Sequence, residues 1–541
     1  MCKIYCIALL VFAFHGLVLG QENFDVKWSQ EFNNGKLLFQ ADYIGQDNKG
    51  YMTISENLHS QLSMGDQTAM FNKINSQGKI IVQTNLIIRF QDNQVAYLKA
   101  VSLKGKKYLF STFWDKKAND KYLLASTISN EGIVEASPKV LFKSHVDNGK
   151  RKTDFKLNVS KDSSKVVVQI DDEEDKGQNK KFVYVVFDDQ LKEVWSVNLD
   201  CSYLADNYFD KEFFLTSKNV LGVLGRVRKD GGEKPRVFFY SLKIHQFETK
   251  KTEEYLPQSG SSFLWGVKAE ESEDGNLLVG GLYGKENKRD MYSVDGYAEG
   301  VFLTKYDLAS KKVVLQKQYP FTPALKGNIV NEEKANSGAA VLWGYKVDKI
   351  ILRKDGSILM LVPKQYLWAD TPPIKISMRS PSICVPYSQE ASANGRNFFY
   401  LKDLIVVSLT PKAELEWFNC VPMRFQASND ITHLRFFSYI FGMVDKDLYF
   451  VYNESDENVK IPLVKDYRAI GDPRGDYTSS VKIDKLGKMT KTRVLVNDNK
   501  KNMTHLEPAV SLQITRDFCI VSSSDVNVKQ TKIGVLKFKQ K

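Results

Sequence analysis

The chain has 541 residues, of which 43% are hydrophobic, 26% charged and 12% aromatic, a composition that excludes a disordered or collagen-like protein. Its formal charge of +12 comes from 76 Lys and Arg against 64 Asp and Glu, interspersed as in KKTEEY and KANDKY, so no concentrated basic stripe points to a nucleic-acid groove. At about 150 residues per domain the length predicts three or four domains, unless a closed or repetitive β architecture keeps one unit growing.

At the N-terminus, Lys3 and an almost unbroken apolar run from Ile4 to Leu19 have the form of a secretory signal over residues 1–20, with Val18 and Gly20 as small residues before Gln21. The run is too short and isolated for a transmembrane anchor, and no Cys follows it to carry a lipid. A secreted or periplasmic chain without a transmembrane anchor is expected. Removing Lys3 lowers the charge from +12 to +11, and Cys2 and Cys6 leave with the signal. Cys201, Cys384, Cys420 and Cys519 remain, too sparse for a disulfide-built scaffold. Cys384 and Cys420 are the favoured pair because they close a modest loop; buried free thiols account for these residues equally well.

Beyond the signal, short runs rich in Val, Ile, Leu, Phe and Tyr alternate with Asp, Asn, Gly, Ser and Lys. FKLNV from Phe155, KVVVQI from Lys165, KFVYVVF from Lys181, NLLVGGLY from Asn276, SILMLV from Ser357, DLIVVSL from Asp403 and DLYFVY from Asp447 are examples. Their length and period-two stretches predict antiparallel strands and little helix. A longer unit recurs: an apolar strand, a turn and a final strand. It is clearest in FVYVVFDDQLKEVWSVNL from Phe182 and LIVVSLTPKAELEWFNCV from Leu404, and weaker from Ala69, Leu123, Phe238, Phe302 and Ser479. Tight turns such as Asp274-Gly275 and Asp355-Gly356 precede many of these units, since Gly accepts positive φ at little cost. Repeated strand–turn units of this kind favour a radial β-propeller.

The two chain ends complete the pattern. Trp28 in ENFDVKWSQEF stands as Trp195 and Trp417 stand in the second strands of their hairpins, but without a first strand; TKIGVLKFKQ from Thr531 resembles a first strand without a second. Pairing them makes one blade from both termini and removes two exposed sheet edges. The expected fold is therefore all-β, a single β-propeller of antiparallel four-stranded blades spanning 21–541, with eight blades favoured and seven as the alternative. Two successive propellers or a sandwich array are the rivals. Eight blades average roughly 65 residues, above the roughly 40 to 50 of compact repeats, and the excess is assigned to insertions from Thr322 to Ala339 and from Pro363 to Asn397.

From Trp28 to Phe538 this strand rhythm, with FDDQLKEVW and the complementary ends, resembles the divergent WD40-like or kelch-like propellers secreted by Bacteroidota. The regular GH and WD pairs of WD40 blades and the repeated double glycine of kelch repeats are absent. The resemblance implies a binding or assembly module and transfers no functional residues.

Motifs for chemistry are sparse. His59, His145, His245, His433 and His505 are widely separated, with no HExxH or paired Cys/His spacing, and no nucleophile elbow or phosphate loop is present. Ser259 to Ser262 read as a polar turn, and Gly280 and Gly281 as a site of close blade packing or a bulge. The run DDEEDKG from Asp171 lacks the closing Glu of a calcium loop. Asp370, two residues after Trp368, is the most interesting single carboxylate for a sugar, although an ordered loop explains it as well. Arg474 to Asp476 spell RGD, and Asn158, Asn453 and Asn502 open glycosylation-like triplets.

No catalytic, cofactor-binding or metal-binding residue is assigned. The expected function is a noncatalytic secreted or periplasmic binding or scaffold protein, monomeric, whose partner is a protein or a cell-envelope glycan; the alternative is a carbohydrate-active or other hydrolytic propeller. A convergent carboxylate pair in a pocket would favour the enzyme, and a flat apolar or aromatic patch protein recognition.

Overall fold

The computed structural model describes residues 24–539 except 31, 34–37, 58–68, 146–152, 172–176, 229–237, 259, 261, 286–296, 331, 338–341, 370–373, 376–389, 392–396, 429–434, 459–460, 462–463, 469–476, 497–504 and 526–529. The signal at 1–20, His59, His433, Cys384, Asp370, Asn502, the RGD triplet, Ser259 and most of the acidic run after Asp171 lie outside the described residues.

Eight antiparallel sheets form the blades of one propeller, seven of four strands and one of six. Their innermost strands are Leu38–Asp47, Ala96–Leu103, Asp154–Val159, Tyr208–Leu215, Phe263–Glu271, Lys349–Leu352, Ile440–Val444 and Leu512–Thr515. The first touches the last as well as the second, which closes the ring. Every recurring hairpin of the sequence forms the third and fourth strands of a blade. Middle strands such as Val166–Asp171 are buried almost throughout because adjoining blades cover both faces. Outer strands such as Lys312–Pro320 alternate between exposed and covered positions because one face meets water.

The eighth blade takes strands from both ends of the chain. Phe24–Trp28 runs antiparallel to Gln530–Phe538, with Phe24 opposite Phe538 and Trp28 opposite Gly534. Ser29 extends the seam: its backbone N–H donates to the Ile533 carbonyl at 2.8 Å, and its Oγ accepts from the Ile533 N–H at 3.1 Å.

The recurrence of an aromatic residue in the outermost strand also has a physical cause. That strand rests on the turn between the third and fourth strands of the next blade. Trp195 stacks on Phe247 at 5.1 Å, the Tyr319 hydroxyl donates to the Ala413 carbonyl at 2.7 Å, and Trp417 lies against Gly487. Gly487 has φ +83°, and a Cβ there would stand 2.8 Å from the indole, so both the turn and the contact require glycine. Gly280 and Gly281 pack as closely: added Cβ atoms would meet Met360 at 2.9 Å and Phe302 at 2.7 Å.

Connections between first and second strands, and between third and fourth, are short in most blades. Longer ones, including 229–237, 286–296, 321–348, 370–396 and 455–476, join second to third or fourth to first strands. Because neighbouring strands are antiparallel, the strand ends joined by these longer segments lie on one face of the ring, called here the upper face. Within 321–348, the helix Pro323–Ile329 is capped by the Thr322 hydroxyl, which accepts from the Leu325 N–H at 3.2 Å, and Leu325 and Ile329 join the core beside the sixth blade. The sixth blade is also taller than its sequence suggests. Its second strand continues through Pro363 to Ala369 and its third begins at Asn397, so Pro363 interrupts the strand register without ending the strand.

Candidate functional site

The residues singled out by type do not converge. The His145 Nδ1 lies 2.9 Å from Asp120 at the outer edge of the second blade. His245 is buried in the fourth, 2.8 Å from the Thr252 hydroxyl, and burial pushes its imidazole below the usual histidine range. His505 is buried in the eighth, edge-on to Phe436. Asn158 and Asn453 hold the fold together: Asn158 Nδ2 donates to the Phe213 carbonyl at 2.5 Å and buried Asn453 Nδ2 to the Leu506 carbonyl at 2.8 Å. Cys201, Cys420 and Cys519 are buried free thiols. Among the described residues no group of three His, Cys, Asp or Glu side chains could hold a metal.

A different set converges at the upper end of the sixth blade. Tyr345 pairs with Lys364, Lys364 with Lys402, and Lys402 with Arg424, so one cross-strand row carries a tyrosine and three successive cations. Like charges directly opposite in a sheet destabilise it. The nearest compensating carboxylate is Asp403. It sits where the register shifts, between Lys402 and Leu404 on one side and beside the Pro363/Lys364 shift on the other. A bulge adds a residue and re-aims its side chain, and here it turns the Asp403 carboxyl toward the row. Pro363 fits at this point because a shifted register leaves its missing N–H unneeded.

Asp403 is 2% exposed. Its Oδ2 accepts from the Tyr345 hydroxyl at 3.0 Å, while its buried Oδ1 has no hydrogen-bond partner among the described residues. Burial raises the Asp403 carboxyl above its ordinary value, against the opposing pull of Lys364 and Arg424. Tyr345 is held in turn by the Trp265 indole, which donates to its carbonyl at 3.0 Å. The Arg424 guanidinium donates to the Tyr467 carbonyl and, at 3.4 Å, to that of Lys465.

Lys364 is the least satisfied member. It is half-buried, with its ammonium 4.8 Å from the Trp343 ring centroid and 5.5 Å from that of Tyr345, and it has no hydrogen-bond or ion-pair partner among the described residues. Burial lowers its pKa most; Asp403 opposes, Lys402 and Arg424 reinforce, and the result is about 8. Burial, then Arg424, also lowers Lys402. Three cations therefore share one buried carboxylate, beside the flat face of an indole. Sequence reading missed this site because its members are scattered over three strands and an isolated bridge residue. The available signal was a cation or carboxylate interrupting otherwise apolar strands, in VPKQYLW from Val362, YLKDLIVV from Tyr400 and VPMRF from Val421.

A second polar group lines the ring interior. Glu212, on the innermost strand of the fourth blade, accepts from Lys268 Nζ at 2.8 Å and from the Ala269 N–H at 3.3 Å. Glu270, two residues beyond Lys268, is exposed to solvent yet ringed by protein. Burial and then the Glu212 charge push its carboxyl up to about 7, against Lys268, Lys161 and Lys349. A carboxyl that keeps its proton more tightly when folded favours the folded state at low pH. Its contribution is present below its ordinary value of 4.5 and declines as pH rises from there through about 7. Replacing Glu270 with Gln should flatten the fall in chemical-denaturation midpoint across that window; an unchanged slope would show that Glu270 does not titrate there.

No protein-family model matches the sequence and no curated protein matches it in sequence. Among solved structures the chain is similar to the WD40 domain of SCAP from fission yeast, at 8% identity and TM-score 0.40 over 96% of this chain and 98% of that one. It is similar to the β-propeller domain of the Trilobed protease from Pyrococcus furiosus at 9% identity and TM-score 0.33, over 78% and 90%. A protein of unknown function from Dyadobacter fermentans is similar at 7% identity and TM-score 0.34, over 96% and 98%. These are distant likenesses among propellers, and the eight-blade architecture stands on this chain's own sheet order. Among the described residues no helix is long and apolar enough to cross a membrane.

Proposed function

We propose that the protein is a noncatalytic binding protein, exported by its N-terminal signal and acting as a monomer, that captures an acidic saccharide of the cell envelope at the upper end of the sixth blade. The resemblance to secreted or periplasmic propellers of Bacteroidota agrees with that setting. The observation carrying the reading is the row Lys364, Lys402 and Arg424 around the single carboxylate Asp403. A ligand carboxylate would supply the missing negative charge, and Trp343 offers a face on which a sugar ring can stack.

Isothermal calorimetry with an oligouronate should show binding that weakens as salt rises, with a neutral oligosaccharide of equal length binding at least about tenfold more weakly. Lys364→Met and Lys402→Met should each cost about tenfold in affinity, the loss expected for one charge-assisted hydrogen bond. Equal affinity for neutral and acidic oligomers would refute the assignment.

Glu270 is the one observation that favours a hydrolytic enzyme. A carboxyl titrating near neutrality beside Glu212 has the character of a general acid next to a second carboxylate. Release of reducing ends from an acidic polysaccharide, abolished by Glu270→Gln, would replace the binding reading with that one.

A further inference from the structure

We propose that Lys364 is a covalent docking point for carbonyl-bearing anions, forming a reversible imine with a 2-oxo acid or with the open-chain aldehyde of an acidic sugar. This rests on the anion-binding reading of the same site and goes beyond it by giving one of the three cations a chemical role.

The three cations differ in their surroundings. Arg424 is tied to two backbone carbonyls and presents a delocalised guanidinium, not an amine. Lys402 lies 5.4 Å from the Tyr400 ring centroid and next to Arg424 in the row. Only the Lys364 amine combines solvent access with the lack of a hydrogen-bonding or ion-pair partner among the described residues. It stands over two aromatic faces, which offer no hydrogen-bond donor to occupy the nitrogen lone pair. Desolvation and neighbouring cations are the two conditions that free a lysine amine for attack on a carbonyl, and both occur here.

The division of labour follows from the ladder. Lys402 and Arg424 would hold the ligand carboxylate one and two strands away, placing its carbonyl carbon toward Lys364. The amine lone pair forms a C–N bond to that carbon. The carbonyl oxygen leaves as water, taking both hydrogens of the neutral amine, and the C=N double bond remains. No electrons are exchanged with an external reagent, and hydrolysis returns the starting amine and carbonyl. Asp403, whose buried Oδ1 lacks a partner, can relay a proton to the departing oxygen.

Other candidates were weaker. In the second polar group Lys268 is already paired with Glu212, which also accepts from the Ala269 N–H. Arg435 with Glu507, and Glu454 with Lys491, already pair with each other inside the fold.

The test incubates the full chain with glyoxylate and sodium cyanoborohydride near pH 8, then maps the lysines by peptide mass spectrometry. An imine at Lys364 is reduced in place and leaves a carboxymethyl group. The expected result is labelling of Lys364 at least about tenfold above any exposed surface lysine, such as Lys143 or Lys285, with protection by an oligouronate. Because the map is read on the unaltered protein, no variant need fold for the result to count. Lys364→Arg adds a second arm: it should retain oligouronate binding and lose the enriched label. Labelling spread evenly over surface lysines, or centred on Lys402, overturns the inference. Oligouronate binding without enriched labelling removes the imine and leaves the proposed function standing; absence of both removes both.

Discussion

Phe538→Ala should lower the stability of the whole ring by about 3–5 kcal/mol, the usual cost of emptying a buried phenylalanine site. Phe538 is the last residue of the C-terminal strand, 2% exposed. It meets Phe24 from the N-terminal strand edge-on at 5.9 Å and stacks with Tyr449 of the seventh blade at 5.4 Å. Its ring also covers Gly442, where a Cβ would clash at 2.1 Å. One side chain thus joins the two chain ends to each other and to the neighbouring blade. Truncation leaves a cavity at the only blade held together by non-contiguous strands, where no covalent connection limits separation. Urea denaturation should show the shift as a lowered midpoint, and limited proteolysis should release the N-terminal strand first. The exposed Leu256 is the control, since a surface truncation to Ala is expected within about 0.5 kcal/mol of the parent. A loss below about 1 kcal/mol at Phe538 would mean that pairing of the ends contributes little to holding the ring closed.

Glu507→Ala should cost a comparable amount, about 3–5 kcal/mol, by stranding a buried cation. Arg435 enters the seventh blade and Glu507 the eighth; their side chains are 7% and 2% exposed and meet at 3.1 Å. Glu507 also accepts hydrogen bonds from the Ser522 hydroxyl at 2.6 Å and from that of Ser524. Removing the carboxylate leaves one guanidinium and two hydroxyls without their acceptor in a water-poor seam. The compensating double variant Arg435→Met with Glu507→Leu removes both charges at once and should recover most of the loss, because an apolar pair pays no desolvation cost. A single-variant loss that the double variant does not recover would show that the contribution is packing and not charge.

Both expectations concern the same seam, and the sequence announced that seam more plainly than it announced any ligand. An unpaired outer-type strand around Trp28 and an unpaired third-type strand from Thr531 are visible as periodic patterns, and the register with Trp28 opposite Gly534 joins them. Blade count was legible for the same reason. The third-to-fourth-strand hairpins repeat a local chemistry: apolar alternation, a turn rich in Asp, Gly or Lys, and in several blades an aromatic residue that covers the next blade's turn, as Trp195, Tyr319 and Trp417 do. Local propensity and global packing ask for the same residues there.

The candidate site was not legible, and its residues show why. Lys364, Lys402 and Arg424 are far apart in sequence, and in each strand a single cation reads as an ordinary solvent-facing residue. Pro363 pointed in the wrong direction, because proline is usually excluded from central strands, yet a shifted register let the strand run on to Ala369. Asp403 reads as the first residue of an apolar strand and proves to be the residue that the bulge inserts. Histidines and the Trp368–Asp370 segment stand out by residue type, but the described histidines occupy separate blades.

What the sequence by itself determined is the all-β propeller, its eight blades and the meeting of its ends, because these follow from period-two burial and turn chemistry that act over a few residues. Only the tertiary structure decided where charge accumulates without balance. A row across three strands and a bridge residue depends on registers, and registers depend on one-residue bulges. Those bulges set which side chains face each other, which of them lose water, and hence that Lys364 stands at the upper end of the sixth blade with a pKa near 8, flanked by cations and aromatic rings.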